Sequence, residues 1–364
     1  MRVLFLQRQP CIRALKYAVG LHSAAPGVRL AFACEGETLS QFYGEGDELF
    51  ERWFHLNGDP RTDLRRAIER FRPDVIHSHN LPDHLTVLAT EVADGRVPVI
   101  HDVHDMRSLR ATPYEDGFPE AEDDHLGMER RAIEGADALI TVSDELLAEI
   151  EARHRVPAMR AVFPNLALRR DLPEELPPVG RGNGGPPHLV YQGSLSVNGG
   201  HYDLRDLFTG VLGTGALLDV YAARDVGDYA ELAEQHPRMR YQSPLPRASL
   251  LARLPDYDWG WAGFNSTLNN AHLDTVLPNK AYEYIGCGLP VLTLGHLALS
   301  RMLEREGVGI SLGRPEELAE RLAEVDYARL RRRVAEVRWD MTVEGAIGPV
   351  IALYEDLVGA RSAV

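Results

Sequence analysis

Short apolar runs alternate along this chain with stretches of helical period, and the alternation stops once and restarts. A strand buried on both faces reads as a continuous apolar run, so the pattern predicts parallel sheets covered by helices on both sides. In the first half, strands are expected at residues 3–6, 30–33, 74–77, 97–103 and 138–142, with amphipathic helices at 63–71 and 85–93. Ser143 follows the last of these runs and reads as the N-cap of a further helix. In the second half, strands are expected at 189–192, 217–222, 240–242, 259–263, 290–294 and 309–312. The segment between, 171–187 (DLPEELPPVGRGNGGPP), has the prolines and glycines of a linker. The fold class is therefore α/β, with one domain over 1–170, a second over 188–342 and a terminal helix within 343–364. That helix carries Ile347, Val350, Ile351, Tyr354 and Leu357 on one face. At 364 residues, each half is long enough to bury its own core.

Composition narrows the function classes. The chain has 39 basic and 54 acidic side chains, a formal charge of −15, which argues against a general nucleic-acid binder. Cys11, Cys34 and Cys287 are odd in number and lack CxxC spacing, so neither a disulfide framework nor a thiolate zinc site is indicated. Arg8 and Arg13 interrupt the N-terminal apolar run before a signal sequence could form, and no stretch approaches the roughly 20 apolar residues of a membrane span. A cytoplasmic protein is expected. All but two of the basic residues are arginine; Lys16 and Lys280 are the exceptions.

Open α/β sheets bind ligands at the carboxyl ends of their strands, so the residues just after each run are the ones to weigh. The run DVIHSHN at 74–80 places His79 and Asn80 at such a mouth, followed by Asp83. Asn80 suits ligand contact or an Asx turn equally, and Asp83 suits turn and capping chemistry. The run at 97–105 ends in His101-Asp102-Val103-His104-Asp105. A histidine beside a carboxylate at a strand end can act as acid, base or electrostatic stabiliser, which singles out His104 and Asp105. His101 reads as a buried, hydrogen-bonded ring. No metal site is assigned to the histidines at 77, 79, 101 and 104, because neither a helix-borne His–Glu pair nor a thiolate accompanies them.

The most informative stretch is LPNKAYEYIGCGLPVL at 277–292. Asn279 reads as the cap of a short helix, which puts Lys280 in its first turn, where the helix dipole disfavours a cation. A lysine there makes sense if it shares an anion with the free amides of the helix start. Glu283 falls on the same face and could accept hydrogen bonds from a ribose. Gly193-Ser194, after the first strand of the second domain, would let a phosphate approach the backbone.

These motifs resemble the group 1 (family 4-like) glycosyltransferases of the GT-B fold, two Rossmann-like domains facing each other across a cleft. The resemblance covers nearly the whole chain: 74–79, 99–105, the segment GADALITVS at 135–143, Pro164-Asn165, and above all 278–292, which follows the signature PxKxxEYxAxGxPV. Trp339 and the last helix look like the family's closing helix, which returns to the first domain. The resemblance implies transfer of a sugar from a nucleoside-diphosphate sugar to an acceptor hydroxyl, without a metal or other cofactor, in glycan, glycolipid or natural-product biosynthesis. It implies that His104 and Asp105 act in catalysis, that His79 and Asn80 face the acceptor, and that Gly193, Ser194, Asn279, Lys280 and Glu283 bind the donor. Two positions depart from the family's pattern. Residues 196–200 hold no Arg or Lys for the diphosphate, and Thr275, beside Asp274, stands where many retaining members have a first Glu. The alternative these departures raise is a catalytically silent protein that binds a sugar nucleotide or a partner enzyme. Peripheral membrane contact through the arginine-rich helix near 61–72 is the minor reading of that segment, and a solvated face the major one.

Overall fold

The computed structural model describes residues 1–110, 124–178, 185–265 and 269–362. The chain divides into two compact units, Met1–Pro164 with Val343–Val364, and Asn165–Thr342.

The first unit holds seven strands: β1 (Arg2–Gln7), β2 (Arg29–Cys34), β3 (Arg52–His55), β4 (Val75–His79), β5 (Val99–Val103), β6 (Ala138–Thr141) and β7 (Met159–Val162). They form one sheet in the order β3-β2-β1-β4-β5-β6-β7, and every neighbouring pair is parallel. β1, β4 and β5 are buried almost throughout, as their apolar runs require. The two strands that the sequence pattern misses, β3 and β7, are the sheet's edges. Each carries an exposed arginine, which breaks the apolar run and also blunts an edge against pairing with another chain. Leu4, Leu6, Ala31, Ala33 and Ile76 pack against Leu64, Ala67, Leu85 and Ala89 of the covering helices. The helix expected at 63–71 starts earlier, at Pro60–Phe71, because Asp59 accepts from the Thr62 N–H and Pro60 suits the first helical position. Ser143 caps the helix Asp144–Arg153 by accepting from the Leu146 N–H.

The terminal segment is two helices, Val343–Ala346 and Gly348–Ser362, instead of one. Pro349 explains the break, since it has no N–H to donate and its ring crowds the carbonyl four residues back. Ile347, Val350, Tyr354 and Leu357 are buried, as is Leu353. The shorter helix lies on the helix Ile12–Ala24 at Gly20, where a Cβ would meet Val343 Cγ1 at 2.6 Å. Glycine at position 20 is what permits this approach.

The second unit holds β8 (His188–Gly193), β9 (Leu217–Ala222), β10 (Met239–Gln242), β11 (Trp259–Trp261), β12 (Val291–Leu294) and β13 (Gly309–Leu312). Their order is β10-β9-β8-β11-β12-β13, again all parallel. β11 is shorter than expected, because the chain turns after Trp261, whose Nε1–H donates to the Gly263 carbonyl. Tyr191, Phe208, Val220, Tyr229 and Trp261 make the centre of its core. The expected linker is only partly accounted for. Residues 179–184 lie outside the described residues, and Leu172 and Leu176 pack over Gly286 and Gly288 of this unit. Arg338 secures the same stretch by donating to the carbonyls of Gly286 and Glu174.

In both sheets the strand order reverses beside the first strand of the unit, between β1 and β4 and between β8 and β11. Connections diverge there, leaving a crevice beyond the carboxyl ends of those strands.

Candidate functional site

In the second unit the crevice is lined by the residues of the best motif. β8 ends at Gly193, whose φ of +133° is a conformation that favours glycine. A Cβ there would stand 3.1 Å from Lys280 Nζ. Lys280 comes from the helix Asn279–Gly286, and its start differs from expectation: Pro278 occupies the cap position in extended conformation, and Asn279 is the first helical residue. Proline's locked φ sets the entry geometry that a capping side chain would otherwise provide.

Lys280 is 8% exposed, so it is not the solvated side chain that most lysines are. Its ammonium lies 4.1 Å from the centre of the Tyr191 ring and 5.1 Å from that of Phe264, in the loop after β11. Nζ has no hydrogen-bond partner among the described residues. Burial pushes its pKa down to about 7, against the opposing charge of Glu283. The amine therefore sits at the switch point, flanked by ring faces and next to the glycine that leaves β8.

Glu283, on the same helix, is half-buried and already held. One carboxylate oxygen accepts from Gln192 Nε2 at 2.5 Å, and the other lies 3.0 Å from Arg247 Nη2. Arg247 in turn lies 3.2 Å from Asp171. Ser194 is exposed, and its carbonyl accepts from the Tyr191 hydroxyl, which pins the Gly193-Ser194 turn. Arg205, the nearest arginine in sequence to 196–200, is tied to Asp203 and the Val197 carbonyl. Asp274 accepts from the Leu297 N–H at the start of the helix Leu297–Glu306, and Thr275 is buried with its hydroxyl on the His272 carbonyl. The 274–275 pair thus serves local structure. Sequence reasoning missed Arg247, Gln192, Tyr191 and Phe264. Arg247 lies 36 residues from Glu283 with no shared motif, while the aromatic at the end of the β8 run was a signal that could have been read.

In the first unit the crevice-side residues divide into two groups. Asn80 is buried and joins the loops after β4 and β5: its Oδ1 accepts from the His104 N–H at 3.0 Å, and its Nδ2 donates to the Asp105 carbonyl. His104 is half-buried, its Nδ1 has no hydrogen-bond partner among the described residues, and burial lowers its pKa, so the ring is a neutral base. The Asp105 carboxylate lies 3.1 Å from Arg110 Nη2, so it is engaged in an ion pair.

The second group is inward. His79, expected at the mouth, is fully buried, its pKa pushed down to about 4 by burial and by His77. Residues two apart on a strand share a face, and the His77 and His79 rings stack at 4.4 Å. Both lie near Asp102, at 3.3 and 3.4 Å. Arg13, a buried arginine unforeseen from the sequence, contacts both Asp102 oxygens through Nε at 2.9 and 3.2 Å and also donates to the Tyr17 hydroxyl and the Phe163 carbonyl. Burial alone would raise the Asp102 carboxyl, but Arg13 and the two histidines hold it well below the usual range. The Tyr354 hydroxyl, from the helix Gly348–Ser362, meets His77 Nδ1 at 2.5 Å. With Tyr354 donating, His77 carries its proton on Nε2 toward Asp102. The ligand atoms of His77, His79 and Asp102 lie within 4.8 Å of one another, close enough for a metal, but the Arg13 guanidinium already neutralises the carboxylate. Asp83 stands at the start of the helix His84–Ala93 without capping it by its side chain, because its Oδ1 faces His101 Nε2 at 3.4 Å. His101 is buried and hydrogen-bonded to Thr86, as expected.

Two parallel α/β sheets, each with a crevice at its switch point, define the GT-B class of glycosyltransferase folds, and comparison with known proteins agrees. Residues 13–165 match the family profile of the glycosyl transferase 4-like domain. Among solved structures, the chain is similar to Anabaena HepE in complex with UDP (14% identity, 100% of both chains, TM-score 0.67). It is also similar to sucrose-phosphate synthase from Thermosynechococcus elongatus (14%, 99% of both chains, TM-score 0.65). WaaG, a glycosyltransferase involved in lipopolysaccharide biosynthesis, matches at 15% identity over 98% of this chain and 99% of its own, with a TM-score of 0.58. No curated protein sequence matches the chain significantly. The resemblance read from the motifs is borne out for the whole chain as a fold, while the family profile matches residues 13–165. Among the described residues no helix is long and apolar enough to cross a membrane.

Proposed function

We propose that this protein is a glycosyltransferase that moves a sugar, most simply a hexose, from a nucleoside-diphosphate sugar to an acceptor hydroxyl. The observation that carries the reading is the buried Lys280 amine beside Gly193, with Glu283 on the same helix. As the glycosidic bond to the diphosphate breaks, negative charge grows on the leaving oxygen. Lys280, the amides of the helix start and the Gly193-Ser194 turn are placed to stabilise it in a site of low dielectric. Asn279 and Glu283 complete the donor side, with Glu283 accepting from the ribose hydroxyls. The HepE structures hold UDP and UDP-glucose, which supports a uridine nucleotide as the first donor to try. On the acceptor side, His104 takes the proton of the attacking hydroxyl or stabilises the sugar cation, and Asn80 holds its backbone in place. Charge supplied by Lys280 makes the transfer independent of divalent metal. We place the protein in the cytoplasm and its product in glycan, glycolipid or natural-product biosynthesis.

The test is incubation of the purified protein with a panel of sugar nucleotides, following nucleoside diphosphate release with and without acceptor and with chelator. Release that survives chelation and is lost in Lys280→Met supports the reading. A protein that binds donor and never turns it over supports the silent alternative, which the Asp105–Arg110 pair and the structural use of Asp274 favour.

A further inference from the structure

The buried amine of Lys280 has a consequence for how a ligand enters. It is flanked by the Tyr191 and Phe264 ring faces, it lies beside the backbone of Gly193, and no described group accepts a hydrogen bond from it. From its own helix the carboxylate facing it is Glu283, which is shared with Arg247 of the helix Arg247–Arg253 and with Gln192 of β8. From β8 the titratable group is the Tyr191 hydroxyl, already donating to the Ser194 carbonyl. The His201 and His296 rings pack against Phe264, and neither accepts a hydrogen bond from the amine. Ring faces favour the charged form by about 0.5–2 kcal/mol, less than the cost of desolvating an ammonium without a partner. Glu283 cannot make up the difference, because its charge is spent on Arg247.

We propose that Lys280 takes up a proton when a phosphoryl group enters beside Gly193, so that donor binding is coupled to protonation of this one amine. The proposal rests on the donor-site reading above and adds its regulation. The empty site avoids a buried unpaired charge, and the cation forms where and when the dianionic diphosphate supplies its partner. The balance is simple: one proton moves from solvent to Nζ for each nucleotide bound, and no bond to carbon changes. The shift of the amine to about 7 agrees with this geometry. Above neutral pH, affinity then falls as the free-state amine loses its proton, by roughly tenfold between pH 7.0 and 8.5, a range in which the diphosphate itself stays ionised.

The composition makes the test direct, since Lys16 and Lys280 are the chain's two lysines. Protein labelled with [ε-13C]lysine should show two lysine signals, with Lys280→Arg removing one and Lys16→Arg, as a second assignment, the other. Expected is a Lys280 signal that titrates near neutrality in the free protein and far above it with saturating UDP, ADP or GDP, whichever calorimetry shows to bind. Calorimetry in two buffers of different ionisation enthalpy should report close to one proton taken up at pH 8.5. Lys280→Arg, whose guanidinium stays charged, should bind with an affinity that is flat across the same range. A Lys280 signal that titrates at the ordinary lysine value in the free protein overturns the inference. So does a nucleotide that binds without moving the signal, and that result leaves the donor-site reading intact. If none of the three nucleotides binds while the free amine titrates near neutrality, the donor-site reading fails and takes this inference with it.

Discussion

Replacing Arg13 by Met leaves the Asp102 carboxylate buried without its cation, and the structure sets the size of the effect. Both residues are nearly inaccessible, and the guanidinium contacts both carboxylate oxygens at 2.9–3.2 Å. Removing one partner of a buried pair costs about 3–5 kcal/mol, because the other charge is left uncompensated. The readout must isolate the first unit, so the assay is native-state hydrogen exchange by mass spectrometry on peptides spanning β4 and β5. Their globally exchanging amides should speed up by roughly two to nearly four orders of magnitude. The sign with pH distinguishes this mechanism from lost packing. In the native protein the Asp102 pKa is held below its unfolded value of about 3.9, so its stabilisation is present above that value and is lost as pH falls through the folded pKa. In Arg13→Met the folded site instead prefers an extra proton, on Asp102 or on His77. The deficit is then largest at pH 8 and shrinks toward pH 5, by at most about 1.4 kcal/mol per pH unit. Adding Asp102→Asn to Arg13→Met should restore protection by removing the stranded charge. A deficit that is flat from pH 8 to 5, together with additive single and double variants, would refute the electrostatic account.

Three further outcomes follow from single contacts. Tyr354→Phe removes the hydroxyl that meets His77 Nδ1 and should cost about 1–2 kcal/mol, seen as faster exchange in 348–362 without loss of nucleotide binding. Gly193→Ala puts a Cβ 3.1 Å from Lys280 Nζ at a positive φ, and should weaken nucleotide affinity by roughly tenfold in calorimetry; unchanged affinity would remove Gly193 from the site. Arg247→Met frees one oxygen of Glu283, so the donor KM should rise severalfold with kcat largely kept, whereas a fall in kcat alone would assign Arg247 to the chemistry.

The legible parts of this fold were those with a local signal. Eleven of the thirteen strands begin or end within a residue or two of an apolar run because parallel strands are buried on both faces, as in β4, β5 and β12. The edge strands β3 and β7 escaped because an edge needs no apolar run. Ser143 was readable because capping is decided by three neighbouring residues, and Asn279 was misplaced because Pro278 takes over the entry to its helix. Lys280 stood out by rarity and position, and Glu283 by its spacing in the motif.

By itself, then, the sequence determined the two parallel-sheet units, the strand ends that carry the site, and the lysine-bearing motif at 278–292. Those follow from periodicity and from chemistry within one or two helical turns. Only tertiary structure decided that His79 faces the core while Asn80 joins two loops, that Arg13 neutralises Asp102 from 89 residues away, and that Arg247 holds Glu283. It also decided the electrical state of Lys280. A side chain's charge depends on who surrounds it in space, and Tyr191 reaches this amine from β8 while Phe264 reaches it from the loop after β11.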